Sequence, residues 1–373
     1  MKRYDYIDAL RGIAIILVLI AHTSKYGINT IPVWFQLITA IDIGPRGVQL
    51  FYLVSAFTLC LSFSKRKKVE RHPTRNFYIR RFFRIAPLFY TALIYYLWQY
   101  GYWSGNLRNY SLINIIATFT FFNGISPYWI NDIIFVEWSI AVESTFYLLF
   151  PFLFRQLRSI RFVLLATLFT MILIQIIRLF LISLPGIQTN TTIQTYLFQF
   201  FPSQLPVFLI GMALFVLLTA HSFTNKNKKF LKLFFIAFMF LLFFQFIFKI
   251  KIIAGHYLYG LGFALLLFLL SRYHIKLFVN PITIYLGKVS FSIYLSHLAI
   301  FYWLNQLKLV DLYPSNGLIN WSLRFLVLLL CSTAVSTLLF YTIEKRGQKL
   351  GSSIVDYLEK IPADNIDKEL KTW

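Results

Sequence analysis

The stretch Arg11-Gly12-Ile13-Ala14-Ile15-Ile16-Leu17-Val18-Leu19-Ile20-Ala21-His22 decides what kind of chain this is. Between an arginine and a histidine it contains only aliphatic residues and one glycine. Wound as an α-helix, the run leaves Arg11 and His22 about 20° out of line and ~16 Å apart along the axis. The two therefore share a face on a helix that crosses most of a bilayer. Ionisable side chains at that depth are costly to hold and persist mainly where they line a polar cavity and perform a task. Asp8, one turn before Arg11, is placed to pair with it at i, i+3. Arg11 at the inner interface also reads as a snorkelling anchor. His22, in the outer half, reads either as a satisfied core histidine or as a base.

Working outward, the rest of the chain has the same character. Hydrophobic residues make up 58% of 373 positions, charged residues 13%, and the mean hydropathy is +0.66. A soluble chain cannot hide that much apolar surface, so the fold class is an all-α, polytopic membrane protein. The 41 Phe and 23 Tyr fit lipid-facing helices and interfacial belts. Cys60 and Cys331 both lie in apolar runs, with neither a disulfide framework nor metal-type spacing, and no metal is expected. The basic start at Met1–Leu10 leads into an apolar run without a small-x-small cleavage site, so it reads as an uncleaved first helix.

Apolar runs near 11–28, 46–64, 86–103, 138–155, 160–182, 203–220, 230–248, 253–271, 283–304 and 320–342 give about ten expected spans. With both termini cytoplasmic, 28 of the 36 Lys and Arg fall at inner ends, inner loops and the tail. The nine basic residues from Lys65 to Arg84 dominate that count, and the bias sets the orientation by the positive-inside rule. The net charge of +22 is thus a topology signal and a contact for anionic membrane lipids, and no nucleic-acid partner is expected. Residues 106–137 read as an outer loop with a shallow or re-entrant helix at Ser111–Phe122. Ile28–Gly44 and the uncharged Leu184–Gln204 also face outward. An integral membrane domain over 1–343 is expected, followed by a cytoplasmic tail over 344–373 that forms a helix and then frays.

Further polar residues interrupt these runs. Glu143 lies five residues into the span that begins at Trp138, ~8 Å below the outer surface and near the depth of His22. A carboxylate beside an imidazole fixes its tautomer and stabilises its charged form, so Glu143 is expected to meet, or nearly meet, His22 in a polar cavity. Its alternative is a structural hydrogen bond between helices, and Glu137, at the mouth, is expected to be solvated. Arg75, Arg80, Arg81 and Arg84 cluster at the inner face, with Arg81 and Arg84 one turn apart. Clustered guanidinium groups suit bidentate phosphate contacts, and equally suit lipid headgroups. Ser290, Tyr294 and His297 form an i, i+4, i+7 stripe in the ninth span, consistent with packing or with function.

Together these segments resemble a known family. Tyr6–Ala14 followed by His22, Gly44–Phe57, Arg80–Tyr90, Trp138–Tyr147 and Ser292–His297 are similar, in order, to the motifs of the acyltransferase-3 family of membrane O-acyltransferases. The resemblance covers most of the chain. It implies ten core spans, a cytoplasmic acyl-coenzyme A donor and a sugar hydroxyl as acceptor, usually in a cell-surface glycan. It also implies that Arg11 and His22 are the functional pair of the first helix and that Arg81 and Arg84 are the paired arginines before the third. Ala56 departs from the glycine the family commonly carries after Ser55. No fused SGNH-type hydrolase domain is expected, so transfer is expected to be completed by these helices or by a separate partner.

The resulting expectation is transfer of an acyl group, acetyl by preference, from acyl-CoA (acetyl-CoA) to a hydroxyl of a cell-surface glycan or its lipid-linked precursor. Arg11, Arg81 and Arg84 would hold the donor, and His22, oriented by Glu143, would act as base or as transient acyl carrier. Ser55 or His297 would supply the hydrogen bond to the developing oxyanion. The rival is a transporter or flippase of lipid-linked glycans, which calls for repeated halves or Gly/Pro-broken helix pairs. The expected site is a cell membrane, crossed many times, such as a bacterial inner or plasma membrane.

Overall fold

Each of the ten apolar segments is helical in the computed structural model, which describes residues 4–27, 31–36, 44–103, 111–157, 159–219, 225–248 and 253–360. The long helices are α1 (Asp5–Thr23), α3 (Gly47–Arg66), α4 (Pro73–Leu97), α6 (Glu137–Arg155), α7 (Ile160–Ser183), α9 (Phe201–Thr219), α10 (Asn225–Phe248), α11 (Gly255–Arg272), α13 (Ser290–Gln306), α14 (Gly317–Leu339) and α15 (Lys345–Lys360). Shorter helices are α2 (Val33–Gln36), α5 (Leu112–Phe119), α8 (Thr191–Gln199) and α12 (Pro281–Lys288). No strand occurs among the described residues. Six helical stretches there are long and apolar enough to cross a membrane, and the bent pair α12–α13 makes up to seven. The protein is a multi-pass, all-α membrane protein.

The outer surface of the bundle is apolar. On α7, Phe162, Leu165, Phe169, Ile176 and Phe180 are exposed at helical spacing, a stripe that only lipid can cover. The core gathers instead on α1, whose Ala9, Leu10, Ala14, Ile15 and Leu19 are fully buried. Glycines bring neighbouring backbones against that helix. A Cβ on Gly287 of α12 would lie 1.7 Å from the carbonyl oxygen of Asp8, and one on Gly12 would lie 2.0 Å from that of Thr283. Gly47 of α3 approaches the carbonyl of Ala14 in the same way. Small residues at such contacts let helices pack through dispersion where lipid removes the hydrophobic drive. They also make α1 the element around which the site is built.

Several expectations change here. The third helix begins at Pro73, not near residue 86, because Pro73 at its first turn starts a helix that the following arginines readily continue. Arg75, Arg80, Arg81 and Arg84 therefore sit on α4 rather than in a loop. The ninth segment is not one straight span: it breaks at Val289, and α12 and α13 meet at 77°. An Asn280–Thr283 capping box starts α12, while the close contact of Gly287 with α1 fixes its direction. Glu137 is buried, not solvated, since its Oε1 accepts from the backbone N–H of Ile133 at 3.2 Å.

The expected inner tail begins with a helix, α15, that packs on α4. Gly347 and Gly351 lie against Phe83 and Pro87, and Glu359 accepts hydrogen bonds from the N–H groups of Arg71 and His72. The fraying expected over 361–373 lies outside the described residues, as does most of the loop expected at 28–44.

Candidate active site

Five helices converge on one cleft, lined by Arg11 of α1, Ser55 of α3, Arg81 and Arg84 of α4, Glu143 and Tyr147 of α6 and Tyr294 of α13, among others. Its wall along α3 runs from Thr58 to Val48, ~15 Å at about 1.5 Å per residue. Arg11 is tethered twice, Nη1 to Asp8 Oδ1 at 3.4 Å and Nη2 to Thr58 Oγ1 at 3.2 Å. That confirms the i, i+3 pair read from the sequence. Arg81 and Arg84 make no ion pair among the described residues. Arg81 lies over the ring of Tyr147 at 5.7 Å, and its buried Nε has no hydrogen-bond partner. Two guanidinium groups with donors to spare, beside a third that is held in place, form a cradle for phosphate oxygens.

Their sequence neighbours behave differently. Arg80 pairs with Glu70 at 2.7 Å, and Arg75 reaches Glu359 at 3.4 Å. The helical spacing thus divides the basic cluster. Positions 81 and 84 face the cleft, while 75 and 80 hold the surrounding loop and α15.

Deeper in the cleft, Glu143 Oε1 accepts from Ser55 Oγ at 2.7 Å and from Tyr147 Oη at 2.5 Å. One turn further, Ser139 Oγ donates to Tyr294 Oη at 2.6 Å, and Tyr294 donates to the carbonyl of Val136. The Tyr294 ring lies 5.9 Å from that of His297, and His297 lies 5.0 Å from His22. A path of polar side chains therefore runs from the arginines past the Ser55–Glu143–Tyr147 cluster to Tyr294, whose ring adjoins the first of two imidazoles. Of the stripe read from the sequence, Ser290 and Tyr294 line the cleft and His297 lies beside Tyr294.

The carboxylate and the histidine do not meet as expected. Glu143 is hydrogen-bonded to Ser55 and Tyr147, whereas the neighbour of His22 is His297. Equal depth in two helices fixes height, not the direction in which a side chain points, and the packing of α3 on α6 turns Glu143 toward α3. The other correction concerns His297. Its Nδ1 lies 2.8 Å from the carbonyl of Tyr294 and 3.1 Å from that of Ile293, so the ring proton belongs there. The buried, unpartnered Nε2 is then a lone pair, an acceptor rather than a donor to an oxyanion while the ring is neutral.

Tyr147 and Tyr294 are the cleft residues that sequence reasoning undervalued. Tyr147 stands four residues after Glu143, so i, i+4 spacing on one helix already pointed to their contact. Glu344 gave no such signal. The wide turn at Phe340–Glu344 carries it inward to accept from Ser292 Oγ at 2.7 Å, and both the turn and the partner depend on tertiary packing.

No curated protein and no solved structure matches the chain. A family model described as an acyltransferase domain, that of the acyltransferase-3 family, matches residues 4–341. The match runs from the turn before α1 to the end of α14 and contains every cleft residue named above, so the chain belongs to the acyltransferase-3 family of membrane acyltransferases.

Proposed function

We propose that this protein moves an acyl group, acetyl by preference, from cytoplasmic acyl-CoA to a hydroxyl of a cell-surface glycan or its lipid-linked precursor. The observation that carries this reading is one cleft that gathers three arginines, a carboxylate and several hydroxyl groups and ends at Tyr294, whose ring adjoins the first of two neighbouring imidazoles. Coenzyme A is a long molecule, with phosphates at one end and the thioester at the other. Arg81 and Arg84 offer free donors to the phosphates, with Arg11 beside them. The acyl-bearing arm then lies along α3, where Ser55, Tyr147 and Ser139 present hydroxyl groups.

His22 takes the proton of the acceptor hydroxyl as its oxygen attacks the thioester carbonyl, or carries the acyl group briefly on its ring. In either course, the acyl–sulfur bond breaks and the proton removed from the hydroxyl ends on the thiol of coenzyme A. His297 packs against the His22 ring and limits its orientation. Glu143 serves the donor side, fixing the hydroxyls of Ser55 and Tyr147 along the arm. The membrane is a cell membrane, both termini lie on the donor side, and ten helices cross it.

The broken pair α12–α13 is the one feature a lipid-linked glycan flippase would share. Its break has a local cause in the Gly12–Gly287 contact. The test is radiolabelled acetyl-CoA supplied to inside-out and to right-side-out membrane vesicles containing the protein. Ester label in the glycan fraction of the inside-out vesicles only is the expected result. Label from neither preparation, with translocation of the lipid-linked glycan, would favour the flippase.

A further inference from the structure

Beyond the two histidines, the path ends in a second pair of rings. Tyr26 lies 4.9 Å from Phe301, centroid to centroid, with the ring planes 35° apart. On α13, His297 and Phe301 are one turn apart, ~6 Å along the axis. The two ring pairs, His22 on His297 and Tyr26 on Phe301, are thus stacked in register along one face of α13. Phe301 is buried, whereas Tyr26 keeps 41% of its surface open. An exposed aromatic face therefore stands one helical turn beyond the imidazoles, at the end of the path opposite the arginines.

A tyrosine near a membrane surface is common in interfacial belts, and exposure alone would say no more than that. Here the backbone is built to hold this one. Gly27, next in the chain, has φ +74°, a conformation that favours glycine, and a Cβ there would lie 2.4 Å from the Arg324 guanidinium. Arg324, 2% exposed, donates to the carbonyl oxygens of Tyr26 and Thr23, and to that of Val310 at 3.0 Å. Asp311 pairs with the same guanidinium. Trp321 Nε1 donates to Ser24 Oγ at 2.9 Å. A buried charge thus grips the chain at both residues 23 and 26, which fixes the Tyr26 backbone relative to His22. Such an investment of buried polar groups in a loop points to positioning.

Resting on the acyltransferase reading, we infer that Tyr26 is the stacking platform of an acceptor subsite for a sugar ring. The apolar face of a pyranose packs on the open face of the Tyr26 ring, backed by Phe301. A hydroxyl on the neighbouring sugar, about one ring length away, then reaches His22. The acceptor class is a carbohydrate of at least two residues, read by the shape of the sugar face and not by charge.

The experiment uses full-length protein in vesicles, radiolabelled acetyl-CoA, and oligosaccharides released from the envelope glycan of cells lacking the protein. Tyr26→Ala is expected to raise the acceptor KM about tenfold, with kcat and acetyl-CoA affinity unchanged. Tyr26→Trp, which restores an aromatic face, is expected to recover the parent KM. A parent-like acceptor KM in Tyr26→Ala would return the residue to the interfacial belt. A Tyr26→Trp variant as impaired as Tyr26→Ala would also overturn the platform. A parent that binds acetyl-CoA but transfers to no sugar would overturn the acceptor class and the subsite together. A parent that does not bind acetyl-CoA would overturn the acyltransferase reading itself.

Discussion

The imidazole rings of His22 and His297 stand 5.0 Å apart at 57°, joining the first helix of the chain to the penultimate long helix of the matched region. His297 spends its one ring proton on backbone carbonyls, which leaves its other nitrogen, buried and without a partner, as a lone pair. His22 also has a buried Nδ1 without a partner. Each imidazole thus keeps one buried nitrogen without a partner, the feature a base needs if it is to take a substrate proton. His22→Ala is expected to cut transfer by ~10²–10⁴-fold. His297→Asn keeps a donor for the backbone carbonyls but replaces the basic ring nitrogen with a weakly basic amide oxygen, and is expected to lose activity at unchanged folding. Transfer rates of purified variants at equal folded yield check this, and a parent-like rate in His22→Ala would return the histidine to a structural role.

Glu143 acts elsewhere along the path. Because its Oε1 accepts from both Ser55 and Tyr147 and it shares no hydrogen-bond partner with His22, Glu143→Gln is expected to impair the donor side. Its effect and that of a partial His22 variant, His22→Gln, should add to within ~0.5 kcal/mol of transition-state free energy. The double-mutant cycle on kcat/KM reads this directly. Strong coupling would mean that the two residues touch during the reaction.

At the phosphate cradle, Arg84→Lys keeps the charge but loses the planar fork. The dissociation constant for acetyl-CoA is expected to rise about tenfold, as for the loss of one charged hydrogen bond. Arg80→Lys, whose parent side chain is spent on Glu70, is expected to leave donor binding alone. Calorimetry on the protein in detergent measures both. Equal effects at the two positions would make the arginines lipid anchors.

The scaffold yields a stability test. Gly287 touches the carbonyl of Asp8 across the α1–α12 contact, and backbone on both sides leaves no side chain to swing away. Gly287→Ala is expected to cost ~1–3 kcal/mol or more, read as a lower unfolding temperature in detergent. Gly262, with open space where a Cβ would go, is the control, and Gly262→Ala is expected to leave stability nearly unchanged.

Much of this was legible in the residues. The alignment of Arg11 with His22, the i, i+4, i+7 stripe of Ser290, Tyr294 and His297, and the one-turn spacing of Arg81 and Arg84 follow from helical periodicity, which is local, although the helix that carries those arginines starts earlier than the apolar pattern does. The partner of Glu143 was not legible, because depth along two helices leaves their rotation undetermined. Nor was the break at Val289, which arises where Gly287 meets α1, a contact between residues far apart in the chain. Arg324 reads in the sequence as one more basic residue in an apolar helix. Its role appears only when the loop ending α1 folds onto it.

The central claim is that this chain esterifies a surface glycan. Mass spectrometry of the envelope glycan from cells lacking the protein, and from the same cells supplied with it, tests that most directly. Base-labile acyl groups, each adding the mass of one acetyl, are expected on glycan from the supplied cells and not on glycan from cells without the protein. Identical glycan from both would contradict it.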